Sequence, residues 1–181
     1  MDAKALEKLR YPIGKFSKPE EIIGEQVNSW IQELDAFPDK LSQLVNSLSE
    51  GQLDTPYRPD GWTIRQVVHH VSDSHHNSYT RFKWALTEKE PVIKPYDEKG
   101  WAELHDTMYA PIAMSLDHLR IVHAKLVYLL RGLKAHELER TFIHPDDNNK
   151  SSLKENIGRY VWHGNHHYAH IEETCKRNKW L

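Results

Sequence analysis

Gly61-Trp62-Thr63-Ile64-Arg65-Gln66-Val67-Val68-His69-His70-Val71 and, far downstream, Tyr160-Val161-Trp162-His163-Gly164-Asn165-His166-His167-Tyr168-Ala169-His170-Ile171 decide how this chain reads. The first stretch opens with Thr63 followed three residues later by Gln66, a pair that caps a helix start reciprocally. Ile64, Val67, Val68 and Val71 then recur at three and four, and the stripe continues through Phe82 and Leu86 to about Thr87. The second stretch lies in a helix that opens at another such pair, Ser152 and Glu155, and runs to about Arg177. His163 and His167 are spaced i, i+4, so they stand one turn apart on the same helical face. Two imidazoles so placed can close on one ion, and a third from a facing helix completes a tripod. Such a tripod leaves coordination positions open, as catalytic metal sites do and closed structural ones do not.

Length and composition bound the rest. The 181 residues fit one domain, 1–181, with enough chain for a sizeable core. A hydrophobic content of 39% and six tryptophans argue against disorder. With a formal charge of −2 and scattered basic residues, no field recruits nucleic acid or an anionic membrane, and neither is expected as a partner. No apolar run reaches the roughly 18 residues of a membrane helix, and Met1-Asp2-Ala3-Lys4-Ala5-Leu6-Glu7-Lys8-Leu9-Arg10 lacks the apolar centre of a secretory signal. The single cysteine, Cys175, excludes an intrachain disulfide framework and a multi-cysteine zinc site, and suits a reducing cytoplasm. Thirteen histidines are unusual, and the two stretches above hold much of the excess.

Four long helices with little strand signal imply an all-α four-helix bundle. Residues 1 to 19, with Pro12, Gly14 and Pro19, read as an irregular arm. From Pro19 the pattern turns helical, with Glu20 and Glu21 against the dipole and Ile22, Ile23, Val27, Trp30, Ile31 and Leu34 in a stripe. Leu41, Leu44, Val45 and Leu48 resume it, giving one long first helix with a break at Pro38 and a stop at Gly51. Residues 51 to 62 form a turn-rich link to the second helix. Pro91 and Pro95 punctuate a connection with a short helical turn around Trp101. A third helix runs from about Pro111 to Arg131, with Leu116, Leu119, Leu126 and Leu130 inward and Gly132 just beyond its end. His144-Pro145-Asp146-Asp147-Asn148-Asn149 is a turn cluster flanked by extended pieces.

Placed at about 100° per residue, the fourth helix turns Leu153, Ile157, Tyr160, Gly164 and Ile171 inward. His167 lies at the margin of that face, His163 one row further round with His170, and His166 turns away. On the second helix His75 sits near the centre of the apolar stripe and His70 flanks it, beside Val67 and Ser74. Periodicity therefore nominates His75 as the buried histidine and leaves the third ligand open; His69 and His76 point to solvent. An inward histidine is more often a hydrogen-bonded core residue than a ligand, and His123, amid the leucines of the third helix, reads that way. Cys175 follows the row of Gly164 and Ile171 and packs. Trp30 and Tyr160 belong to inward stripes, Trp62 is placed as a staple, and Trp84 and Trp162 fit no stripe.

The segment from Gly61 through Val71-Ser72-Asp73-Ser74-His75 resembles the tryptophan-to-histidine signature of the DinB-like four-helix superfamily. Within it, Tyr160 to Ile171 resembles the closing motif of the YfiT-type metal-dependent hydrolases, a branch similar also to bacillithiol transferases. The arm Arg10-Tyr11-Pro12-Ile13-Gly14-Lys15-Phe16 resembles that branch as well. The match covers nearly the entire chain. It implies a bundle with one divalent ion per chain held by three histidines. The superfamily's second-helix ligand stands just before an apolar residue, with an acid two positions beyond; His70, with Val71 and Asp73, fits and His75 does not. The fourth-helix ligands carry over to His163 and His167. Where many DinB-like proteins have Gln before the final Ile, this chain has His170, a partner to a ligand or a pocket residue. The resemblance also implies a homodimer.

An all-nitrogen tripod suits zinc or nickel better than oxygen-seeking magnesium or calcium. Zinc lowers the pKa of a bound water toward roughly 7, so the expected activity is metal-dependent hydrolysis of a small-molecule substrate. No Glu occupies a His-Glu-x-x-His arrangement. Asp73, one turn from His70, could orient an imidazole or take a proton, but reads better as a solvated acid. The alternative places a low-molecular-weight thiol of the bacillithiol type at the open position as a thiolate, in an S-transferase, with Arg65, Arg81 and Arg159 available to hold it. A third reading is a non-catalytic metal-binding module.

Overall fold

The computed structural model describes residues 2–146 and 148–181. After a short α1 (Ala3–Arg10) and an extended passage come the long α2 (Gly24–Val45), the one-turn α3 (Glu50–Leu53) and the long α4 (Ile64–Thr87). Two short helices, α5 (Glu98–Ala102) and α6 (His105–Tyr109), lead to α7 (Ile112–Arg131). A further turn, α8 (Ala135–Leu138), and a hairpin of β1 (Thr141–Ile143) and β2 (Lys150–Ser152) then lead to α9 (Leu153–Arg177). The bundle is α2, α4, α7 and α9. Both α2 and α4 pack against α7 and α9, so they stand on opposite corners. The hairpin pairs Thr141 with Ser152 and Ile143 with Lys150, antiparallel. Asp147, in the expected turn cluster, lies outside the described residues. Among the described residues no helix is long and apolar enough to cross a membrane.

Local chemistry fixes the starts of both histidine-bearing helices. The Thr63 hydroxyl accepts from the Gln66 N–H and the Gln66 amide oxygen accepts from the Thr63 N–H; Ser152 and Glu155 repeat the arrangement. Three expectations need correction. The arm is not wholly irregular: it contains α1, where the Asp2 carboxylate accepts from the Ala5 N–H at 2.6 Å and Lys8 and Arg10 occupy the last turn. No residue of α1 is fully buried; Leu6 and Leu9, three apart on one face, are its half-buried residues. Second, α2 begins at Gly24 rather than Pro19, because tertiary contacts hold the preceding chain extended. Lys18 pairs with Glu155, and Phe16 packs on Trp162 at 5.9 Å, both on α9. Third, Pro38 does not break α2, which continues through it but ends at Val45, short of the stop expected at Gly51, a residue that lies inside α3. The ring removes only the N–H that would have reached the Leu34 carbonyl one turn back.

Two apolar clusters fill the bundle. One gathers Phe37, Leu41, Val67, Val71, Leu119 and Ile171, the other Ile31, Leu34, Phe82, Leu126, Leu153 and Ile157. Between them lies a polar layer: His75 falls between Val71 and Phe82, His123 between Leu119 and Leu126, and His163 between Ile157 and Ile171. Each buried Leu or Phe stabilises by about 1.5–3 kcal/mol, whereas a buried polar group is tolerated only when hydrogen-bonded. The layer is accordingly a network. α9 approaches α2 closely at two glycines. A Cβ on Gly158 would meet the Trp30 ring at 2.6–2.9 Å, and one on Gly164 would meet the Phe37 ring at 3.0–3.2 Å.

Candidate metal centre

α4 supplies His70 and α9 supplies His163 and His167, one turn apart. One nitrogen from each lies within 4.8 Å of the others, forming a group that could hold a metal ion. Ring centroids are 4.6 Å apart for His163 and His167, 4.7 Å for His70 and His167, and 5.3 Å for His70 and His163. The Nε2 atoms of His70 and His163 face each other at 3.3 Å. Two nitrogens bound tetrahedrally at about 2.0–2.1 Å would lie about 3.3–3.4 Å apart, so the donor set fits a small divalent ion. Burial favours the neutral imidazole, which is the ligating form. It pushes His70 down to about 4. His163 and His167 fall well below the ordinary histidine value, through burial first and then repulsion from neighbouring imidazoles.

Further polar groups stand behind these rings. Tyr96 Oη lies 3.4 Å from His70 Nδ1, and Ser74 Oγ 3.4 Å from His163 Nε2. His75 Nε2 is 3.3 Å from His163 Nδ1, and His75 Nδ1 is 2.8 Å from His123 Nε2. His75 is buried, as periodicity predicts, but sits beside the converging rings rather than among them. His123 is a hydrogen-bonded core residue and Cys175 is packed, both as expected. Two histidines that periodicity turns outward are buried instead. His69 meets Ser115 Oγ at 2.7 Å and the Ala110 carbonyl at 3.1 Å, because the chain around α6 and the start of α7 covers that side of α4. His166 is covered by the arm, with Tyr11 at 5.9 Å, and stacks on Trp162 at 4.6 Å. His76 is exposed, as expected.

The three imidazoles open into a cavity of about 760 Å³. Arg10 and Tyr11 come to its wall from the arm, Tyr57, Arg58, Asp60 and Trp62 from the link before α4, and Glu98, Lys99 and Glu103 from around α5. α9 adds Trp162, His166 and His170. Trp62 packs on His70 at 4.6 Å and Tyr57 stacks on His170 at 4.1 Å. The charged wall residues come from loops and short helices, where no period marks them. The arginines singled out from sequence are elsewhere. Arg65 bonds Asp54 at 2.8 Å, the Ala110 carbonyl at 3.2 Å, and Glu50. Arg81 reaches Tyr160 Oη at 3.4 Å, and Arg159 lies over the Phe16 ring at 4.7 Å. Asp73, pushed up to about 6 by burial and then by Asp106, makes no hydrogen bond to His70 among the described residues.

A relative from Bacillus cereus (strain AH820), named "Putative metal-dependent hydrolase BCAH820_2714", is 52% identical over 172 residues, spanning 95% of this chain and 98% of that protein. A Bacillus thuringiensis subsp. konkukian relative of the same designation is 51% identical over the same spans. Among solved structures, YfiT from Bacillus subtilis, described as a probable metal-dependent hydrolase with an unusual four-helix bundle topology, superposes with a TM-score of 0.94 at 49% identity, covering 96% of this chain and 99% of that one. The four-helix bundle protein TT2238, at 17% identity and a TM-score of 0.57, covers 81% of this chain and 98% of its own, and shares the fold. Residues 33–171 match the family described as the DinB superfamily. The chain is a member of the DinB superfamily.

Proposed function

We propose that this chain is a metal-dependent hydrolase of a small-molecule substrate, with one zinc or nickel ion held by His70, His163 and His167. The observation that carries this reading is the convergence of three neutral imidazoles, His70 and His167 buried and His163 half-buried, beneath an open cavity. When bound, the ion supplies Lewis acidity and lowers the pKa of a coordinated water toward about 7. The chain's own residues do the remaining work. Trp62 and Trp162 give the cavity apolar walls, and Arg10, Arg58 and Lys99 can hold an anionic group of the substrate. Asp60, Glu98 and Glu103 are carboxylates on the same wall, able to accept the proton that no His-Glu-x-x-His glutamate is present to take. Mass spectrometry tests the reading. About one zinc or nickel per chain is expected in the wild type and none in His163→Ala, with ester or amide turnover tracking the metal. A folded, metal-free wild type that cannot be reloaded would overturn it.

The cationic groups Arg10, Arg58 and Lys99 also favour the second reading, a low-molecular-weight thiol S-transferase, because they suit an anionic thiol. Thiol-plus-electrophile assays run beside ester hydrolysis separate the two, and metal retention with neither activity marks a binding module. We further propose that the protein is a cytoplasmic homodimer. Its unpaired, buried Cys175 suits a reducing compartment, and α7 exposes Met114, Ile121 and Tyr128 in one stripe.

A further inference from the structure

The proline in α2 has an effect that reaches the metal centre. The N–H of residue 38 would ordinarily bond the carbonyl of residue 34, and Pro38 has none. The Leu34 carbonyl is met instead by His123 Nδ1 at 2.6 Å. A carbonyl only accepts, so His123 Nδ1 carries the hydrogen and, in the neutral ring, Nε2 is bare. His75 Nδ1, 2.8 Å from that bare nitrogen, must donate to it, which leaves His75 Nε2 free to accept from His163 Nδ1 at 3.3 Å. His163 Nε2 then keeps its lone pair, on the side facing His70. A shorter branch follows the same logic. The Arg10 carbonyl accepts from His170 Nε2 at 3.0 Å, and the bare His170 Nδ1 accepts from His167 Nδ1 at 3.4 Å, leaving His167 Nε2 bare.

We propose that these two imidazole relays, each ended by a main-chain carbonyl, preset the tautomers of His163 and His167 so that both offer Nε2 to the ion. His75, His123 and His170 are then positioning residues of the centre. This rests on the metal-centre reading above and adds to it the proton placement that makes His163 and His167, two of the three imidazoles, ready ligands. The longer relay is also held mechanically. Phe37 stacks on His75 at 5.7 Å and 9° and on His123 at 5.8 Å and 28°, and Tyr160 meets His75 edge-on at 5.1 Å and 89°. Neither ring can exchange its nitrogens without opening the core.

Nitrogen-15 NMR of the metal-free wild type reads the tautomers directly. Hydrogen on Nδ1 of His163 and His167 is expected, and hydrogen on Nε2 of His163 would overturn the relay. Zinc affinity, measured against a chromophoric chelator, gives the second readout. His75→Leu and His123→Leu are expected to weaken zinc binding by about 10–100-fold, with mixed tautomers at His163. In His75→Gln an amide oxygen can again accept from His163 Nδ1, so part of the loss should return. Leucine variants that fold by circular dichroism and bind zinc like the wild type would overturn the relay. A wild type that binds no zinc would sink the metal centre instead, while its tautomers still decide the relay. If a leucine variant does not fold, His75→Gln and the wild-type spectrum decide it.

Discussion

Gly158 is the position where one methyl group should matter most. Its Cβ would meet three atoms of the Trp30 indole at 2.6–2.9 Å, and a rigid ring cannot yield as a flexible chain end can. Gly158→Ala should therefore cost about 1–3 kcal/mol by overpacking, read as a lower urea midpoint; an unchanged midpoint would mean that α2 and α9 can part at no cost. Single residues were unequally legible in the sequence. The His163–His167 pair follows from spacing, because i and i+4 share a face whatever surrounds the helix. Periodicity set His75 nearer the centre of the α4 stripe than His70, yet both are buried, and it was the resemblance to the superfamily motif, not the period, that picked out His70. His69 and His166 read as exposed because a helix's own stripe says nothing of the loop or arm laid over it.

Among elements, those with self-contained signals were legible. The reciprocal caps at Thr63 and Ser152 locate α4 and α9 from a few residues each. α1 is too short for its Leu6–Leu9 pair to stand out as a stripe, and the start of α2 depends on contacts made by Lys18 and Phe16 with a helix distant in sequence. The outer face of α7 carries a different message. Met114, Ile121 and Tyr128 recur every seventh residue and are 66%, 58% and 85% exposed. In the proposed homodimer this stripe is what a second copy covers. Light scattering should give twice the chain mass for the wild type and the single-chain mass for Tyr128→Glu, which plants a charge in the seam. A wild-type monomer at high concentration would remove the proposal.

The whole molecule should respond to acid through its buried imidazoles. In the unfolded chain they protonate near the ordinary value of 6.5, whereas burial holds His123 and His166 neutral down to about 4 and His170 to about 3. Between those limits the unfolded state binds more protons, so stability is complete above about pH 6.5 and falls as pH drops toward 4. Each such group contributes a slope of about 1.4 kcal/mol per pH unit. Urea midpoints measured from pH 7 to 4.5 should decline steeply, and less so in His123→Leu; a flat profile would contradict the neutral network. The bundle was legible at this scale because four amphipathic stripes need one another, while the cavity was not, because its walls converge from the arm, the link and α5. One consequence concerns assembly. Trp30 over Gly158 and Phe37 over Gly164 act as two teeth in two notches, and together they admit a single axial setting of α9 against α2. A slip of one turn, about 5.4 Å, would jam both rings and, because His163 and His167 stand one turn apart, would leave only one of them within reach of an ion shared with His70. The notches are thus the gauge by which the centre is measured out before a metal arrives.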